Sequence, residues 1–146
     1  MGKINQLGTL EEVLALCGAD ETLLPCVDFG HLYARTHGAH TGAEAVAATL
    51  AAIQNRLGAE RMRRTHIHFS HIEYSAGGEV RHLVFSDSRF GPAEKPFLEE
   101  LARWQTACVV ICESAGTQTE DALWMQRYYR RVCQNSQGPV SFCVKG

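Results

Sequence analysis

Seven histidines occur in this 146-residue chain. His31, His37, His40, His66, His68, His71 and His82 all fall in one stretch, and both flanks have none. Imidazoles gathered in this way suit proton transfer or metal ligation. Carboxylates stand beside them. Asp28 lies near the end of the apolar run LLPCVDF with His31 just after it, His68 is near the end of THIHFS with Glu79 and His82 in the segment that follows, and Glu113 comes directly after ACVVIC. Carboxylate and imidazole without thiolate form a borderline-to-hard donor set, suited to Zn²⁺ or Mn²⁺ with positions left open for water. Cysteines at 17, 26, 108, 112, 133 and 143 include no CxxC and mostly sit inside apolar runs. Cys108 and Cys112 share one face of a strand but lie about 13 Å apart along it, so a cysteine-built zinc site is not expected. The thiols read as reduced, as in a cytoplasmic protein.

These groups must be positioned by the elements around them. TLEEVLALC opens with a capping box, Thr9 to Glu12, and predicts a short helix from Thr9 to Cys17, ended by Gly18. Leu23 to Phe29 reads as a buried strand, followed by a Gly- and His-rich loop from Gly30 to His40. A second capping box, Thr41 to Glu44, introduces the Ala-rich helix GAEAVAATLAAIQNRL, closed by Gly58. Thr65 to Ser70 alternates, with His66, His68 and Ser70 on one face and Ile67 and Phe69 on the other. A long connection from His71 to Pro92, with a turn at Gly77-Gly78, leads to a helix in PFLEELARW. The apolar run Ala107 to Cys112 then leads through ESAGTQT to the helix EDALWMQRYYRRVC. The order helix, strand, helix, strand, helix, strand, helix is that of consecutive βα units around a parallel sheet. In such sheets functional groups collect at the carboxyl ends of the strands, where Asp28, His68 and Glu113 all fall and where the alternation lets them face a common axis. Singly each has an ordinary structural reading: Asp28 as a cap of the next turn, His66 or His68 as a core histidine, Glu113 as the N-cap of the last helix. Three at equivalent places in successive units favour the metal.

With 14 Lys plus Arg against 16 Asp plus Glu, the formal charge is −2. Bulk charge therefore supplies no attraction to a phosphate backbone, and a nucleic-acid partner would have to be recognised at a local site. No apolar run reaches the roughly 18 residues that span a bilayer, and MGKINQLGTLEE does not read as a signal peptide, so the expectation is a soluble, cytoplasmic protein with no membrane partner.

PCVDFGHL, HIHFSHIEYSAGGEVRH and VICESAG resemble the last three strand ends of the endonuclease IV (family 2 AP endonuclease) and xylose-isomerase-like TIM-barrel superfamily. GKINQLGTLEEVLALC resembles the loop and helix after that barrel's fifth strand. The resemblance implies an α/β fold of parallel-stranded βα units, the C-terminal half of a TIM (β/α)8 barrel, with residues 1–133 as units six to eight plus the preceding helix and 134–146 as a C-terminal tail. It implies that Asp28, His68 and Glu113 hold one ion and His31 with His82 another, zinc first and manganese as the alternative. Glu79 is a further candidate, although it precedes His82 by three positions where the family's acidic residue precedes its histidine by two. Complete endonuclease IV relatives cleave the DNA backbone on the 5′ side of an abasic site, a DNA-repair hydrolysis with clustered metals. The sugar isomerase and epimerase branch keeps a single metal on the equivalents of Asp28, His68 and Glu113 and uses the position of His31 for substrate.

The family's strand-five glutamate would precede Gly2, so the expected site is incomplete and little or no cleavage of abasic DNA is expected from the chain alone. A third reading is a non-enzymatic half-barrel. In either case a homo-oligomer is expected to cover the open barrel edges. Arg35, Arg81 and Arg89 lie in loops on the metal side and are the candidate contacts to DNA or substrate. Arg61, Arg63, Arg64, Arg127, Arg130 and Arg131 map to the opposite rim and read as a solvated face.

Overall fold

The computed structural model of the chain describes residues 2–135. Its elements in chain order are α1 (Leu10–Ala19), β1 (Cys26–Asp28), α2 (Phe29–Arg35), α3 (Gly42–Leu57), α4 (Ala59–Arg63), β2 (His66–Phe69), β3 (Ile72–Ser75), β4 (Gly78–His82), α5 (Glu94–Arg103), β5 (Val109–Cys112) and α6 (Gln118–Asn135). The fold is mixed α/β, with a parallel sheet in the order β1-β2-β5 and a separate antiparallel hairpin of β3 and β4.

Register decides which side chains meet. Asp28 pairs with His68 and His68 with Ile111. The ladder runs one bond further, from the Glu113 amide to the Phe69 carbonyl at 3.0 Å, so Glu113 leaves the sheet just beyond the level of His68. Alternation along these strands separates two faces. Val27, Ile67, Phe69 and Val110 are buried in a core with Leu50, Ile53, Phe97, Leu98, Leu101 and Tyr129. Phe69 stacks on Phe97 with ring centroids 4.5 Å apart. Each such side chain contributes about 1.5–3 kcal/mol through burial. On the other face Cys26 is exposed and Asp28, His66, His68, Val109 and Ile111 are only partly covered. Parallel sheets are ordinarily covered on both faces.

The capping box at Thr9 and Glu12 forms in full at the start of α1. The one expected at Thr41 does not. Thr41 makes no side-chain bond to its own helix; its hydroxyl instead accepts the Ala93 amide at 3.0 Å and ties α3 to the approach of α5. Part of the expected 30–40 loop is helical as α2, because Asp28 caps it through the His31 amide. The expected 71–92 connection contains the β3–β4 hairpin, turning at Ala76 and Gly77 and entering β4 at Gly78 with a φ of 91°. That positive φ suits glycine. The boundary drawn between 133 and 134 falls inside α6, which continues to Asn135; residues 136–146 of the expected tail lie outside the described residues. Among the described residues no helix is long and apolar enough to cross a membrane.

Candidate metal centre

Two sets of three side chains converge at the carboxyl ends of the parallel strands: Asp28, His68 and Glu113 in the first, His31, Glu79 and His82 in the second. Within each set the ligand-capable atoms lie within 4.8 Å of one another. Ligands held at about 2.0–2.2 Å from a zinc ion stand roughly 3–4 Å from each other, so the spacing fits. In the first set His68 Nδ1 lies 2.9 Å from Glu113 Oε1 and 3.9 Å from Asp28 Oδ2. In the second, His31 Nε2 lies 3.4 Å from Glu79 Oε2 and His82 Nε2 lies 3.8 Å from Glu79 Oε1. The His31 and His82 rings meet edge to face at 5.6 Å.

Local structure explains each placement. Asp28 ends β1 and starts α2, so its carboxylate is anchored: Oδ1 accepts the His31 amide at 2.9 Å while Oδ2 takes His31 Nδ1 at 3.0 Å. The capping role and the site role of Asp28 therefore coexist. Glu79 and His82 arrive on the hairpin, which is pinned from the other side by the start of the chain. The Glu79 amide donates to the Gly2 carbonyl at 3.0 Å, and Lys3 bridges to Gly78. A Cβ at Gly2 would stand 2.5 Å from Glu79 Cβ and 3.0 Å from His31 Cδ2, so a side chain there would push the hairpin or the first loop out of place. His82 Nδ1 is held by Ser70 Oγ at 3.0 Å and by the Glu113 carbonyl at 3.1 Å.

The electrostatics suit a cation. Burial pushes the Asp28 carboxyl up, but the hydrogen bonds and charge of His31 and the charge of His68 outweigh it and hold Asp28 below the ordinary carboxylate value. Burial works against a charge on His31, yet Asp28 and then Glu79 overcome it and raise its pKa. Cys26 lies beside the first set but is in neither set; partial desolvation, then the charges of Asp28 and Glu113, raise its pKa. The donors of both sets are carboxylate oxygen and imidazole nitrogen, a set that suits a borderline-to-hard divalent cation better than a soft one. A cavity of about 240 Å³ opens beside the first set, walled by Leu10, Val13, Val27 and Leu32.

All six acidic and histidine candidates come together. The arginines do not join them as free cations. The Arg35 guanidinium donates to the main-chain carbonyls of Lys3, Gln6 and Ile4 and so fastens the first loop to α2. Arg81 pairs with Glu73 across the hairpin at 2.6 Å, and Arg89 lies over the Phe90 ring, 5.1 Å from its centroid. His40 is held apart from both sets: burial lowers its pKa, and its Nε2 lies 3.1 Å from Thr49 Oγ1. Sequence reasoning missed Ser70 as a partner of His82. Its place on the face of His66 and His68 was legible, whereas its contact with His82 depends on how the hairpin folds back.

A relative is found in "Uncharacterized protein MJ0133" of Methanocaldococcus jannaschii, 38% identical over 127 residues, which cover 87% of this chain and 45% of that protein. The chain thus spans less than half the length of the curated relative it matches. No protein-family model matches the chain, and no solved structure matches it.

Proposed function

We propose that the chain carries a clustered divalent-metal centre for phosphodiester hydrolysis at abasic DNA, on the strand ends of a half-barrel of the endonuclease IV type. The observation that carries this reading is the pair of adjoining O/N ligand sets. A single-metal isomerase needs only the first set as metal ligands and gives His31 a substrate contact, which leaves the convergence of Glu79 and His82 on His31 without a metal role. The half-barrel reading is supported by the parallel order β1-β2-β5, with α2 and α6 directly after β1 and β5 and α5 after β2 by way of the β3–β4 hairpin, and by a core confined to one sheet face. Zn²⁺ or Mn²⁺ would supply Lewis-acid activation of water and of a phosphoryl oxygen. The chain's own residues hold and orient: Asp28, His68 and Glu113 on rigid strand ends, Glu79 and His82 on a hairpin pinned at Gly2.

A second reading, a sugar isomerase or epimerase, is favoured by the arginines. Arg35 is turned onto carbonyls and Arg81 onto Glu73, so these two guanidinium groups are engaged within the chain rather than offered to a DNA backbone, and the cavity beside the first set is of small-molecule size. Metal stoichiometry measured together with abasic-duplex binding and nicking, and with ketose–aldose interconversion in parallel, separates the two. The expected outcome is two ions per chain and metal-dependent binding of the abasic duplex that is lost in His68→Ala. One ion with isomerisation, and no duplex binding, would replace this proposal by the second reading.

A further inference from the structure

We infer that Asp28 and the Glu113 main chain are positioning groups for the second ligand set, which is thereby built on the first. The inference rests on the proposed metal-binding reading of the two sets. His82 Nδ1 meets two oxygens, the Glu113 carbonyl at 3.1 Å, which can only accept, and the Ser70 hydroxyl at 3.0 Å, which can accept as well; the arrangement that suits both puts the hydrogen of neutral His82 on Nδ1 and leaves the Nε2 lone pair free. The same holds at His31, where the Asp28 carboxylate accepts from Nδ1 at 3.0 Å. Both free Nε2 atoms then face the one carboxylate of Glu79, at 3.4 and 3.8 Å. Metal-binding histidines are ordinarily oriented in this way, by a carboxylate or carbonyl on the far ring nitrogen. What is particular here is the source of the orienting atoms: residues 28 and 113 also contribute their carboxylates to the first set. Asp28 thus acts twice, as a candidate ligand beside His68 and as the group that fixes the tautomer and ring plane of His31.

The two roles come apart under mutation. Asp28→Ser keeps an oxygen able to cap α2 through the His31 amide but removes the oxygen that meets His31 Nδ1. His68→Ala damages the first set and leaves every partner of His31 and His82 in place. Two readouts are taken at mildly alkaline pH: the tautomer of His31 by ¹⁵N resonance in the metal-free protein, and the Zn²⁺ affinity of each set by chelator competition. Wild type and His68→Ala should both show the Nδ1–H form of His31, with the second set binding Zn²⁺ within about twofold of each other. Asp28→Ser should shift His31 towards the Nε2–H form and weaken the second set by about tenfold or more, and Asp28→Asn, which retains an amide oxygen, should restore part of the Nδ1–H population. An unchanged His31 tautomer in Asp28→Ser overturns the inference. So does a His68→Ala variant that weakens the second set as much as Asp28→Ser does. If wild type binds no Zn²⁺, the metal-binding reading fails, whereas the tautomer in the metal-free protein still decides whether Asp28 positions His31.

Discussion

His71 Nε2 stands 2.8 Å from Glu94 Oε1, joining the segment between β2 and β3 to the first turn of α5. His71 Nδ1 meets the Asp87 carbonyl at 3.1 Å, and the ring is almost wholly buried. This histidine clamps the 85–94 segment to the sheet and takes no part in either ligand set.

The clamp predicts an acid-sensitive contribution to stability. Burial pushes the Glu94 carboxyl up, but the close His71 imidazole, its own backbone amide and the charges of His71 and Lys95 outweigh it and lower it from 4.5. A carboxyl lowered by folding stabilises the native state above its unfolded pKa, and that stability is lost as pH falls through the folded pKa. Urea midpoints compared between wild type and Glu94→Gln should differ by about 1–2 kcal/mol near neutrality. The gap should close below pH 4.5. A gap that persists in acid would show that the carboxylate charge is not the source.

Glu113→Ala should remove one ion from the first set. The motive is its Oε1, 2.9 Å from His68 Nδ1 at the end of β5. Metal analysis after dialysis against a weak chelator measures it, and equal metal content in mutant and wild type contradicts the ligand role. The Glu113 carbonyl survives the substitution, so the second set should keep its ion.

Gly30 lies in α2 with its Cα against the strand end. A Cβ there would meet the Ser70 carbonyl oxygen at 2.7 Å and Ser70 Oγ at 2.9 Å. Backbone cannot yield as a flexible side chain does, so Gly30→Ala should destabilise by about 1–3 kcal/mol. Because Ser70 Oγ holds His82, the same variant should weaken metal binding at the second set. Wild-type stability and wild-type affinity together would show that α2 can shift without disturbing Ser70.

The sheet face that is only partly covered among the described residues predicts self-association. Cys26, Val109 and Ile111 line it, and Ile4, Leu7 and Leu24 are among the exposed large hydrophobic residues. Light scattering at micromolar concentration should return a particle larger than the 16.1 kDa chain. A clean monomer is the contrary result, and Ile111→Glu should shift an oligomer towards it.

Much of this protein was legible before any coordinates. The apolar runs Leu23 to Phe29 and Ala107 to Cys112 marked β1 and β5, and the alternation in THIHFS marked β2 and put His68 opposite Ile67 and Phe69, because period-two geometry is local. The Thr9 capping box and the Ala-rich α3 are equally local and formed as read. The place of Asp28, His68 and Glu113 at successive strand ends followed from the βα order alone. What the sequence did not determine depends on segments distant along the chain. IEYS and GEVRH carry the alternation of a hairpin around Gly77-Gly78, yet short strands rich in charged residues are weak signals, and only tertiary packing made them β3 and β4. That hairpin brings Glu79 and His82 to His31, and Gly2 across to Glu79. Thr41 shows the same limit: its motif fits a capping box, but the Ala93 amide competes for the hydroxyl and wins. Arg35 likewise lies on the metal side in sequence order, and only the fold reveals three carbonyls of the first loop within its reach. A side chain with several possible partners takes the set that satisfies the most buried polar groups, and which groups are near is decided by the tertiary structure.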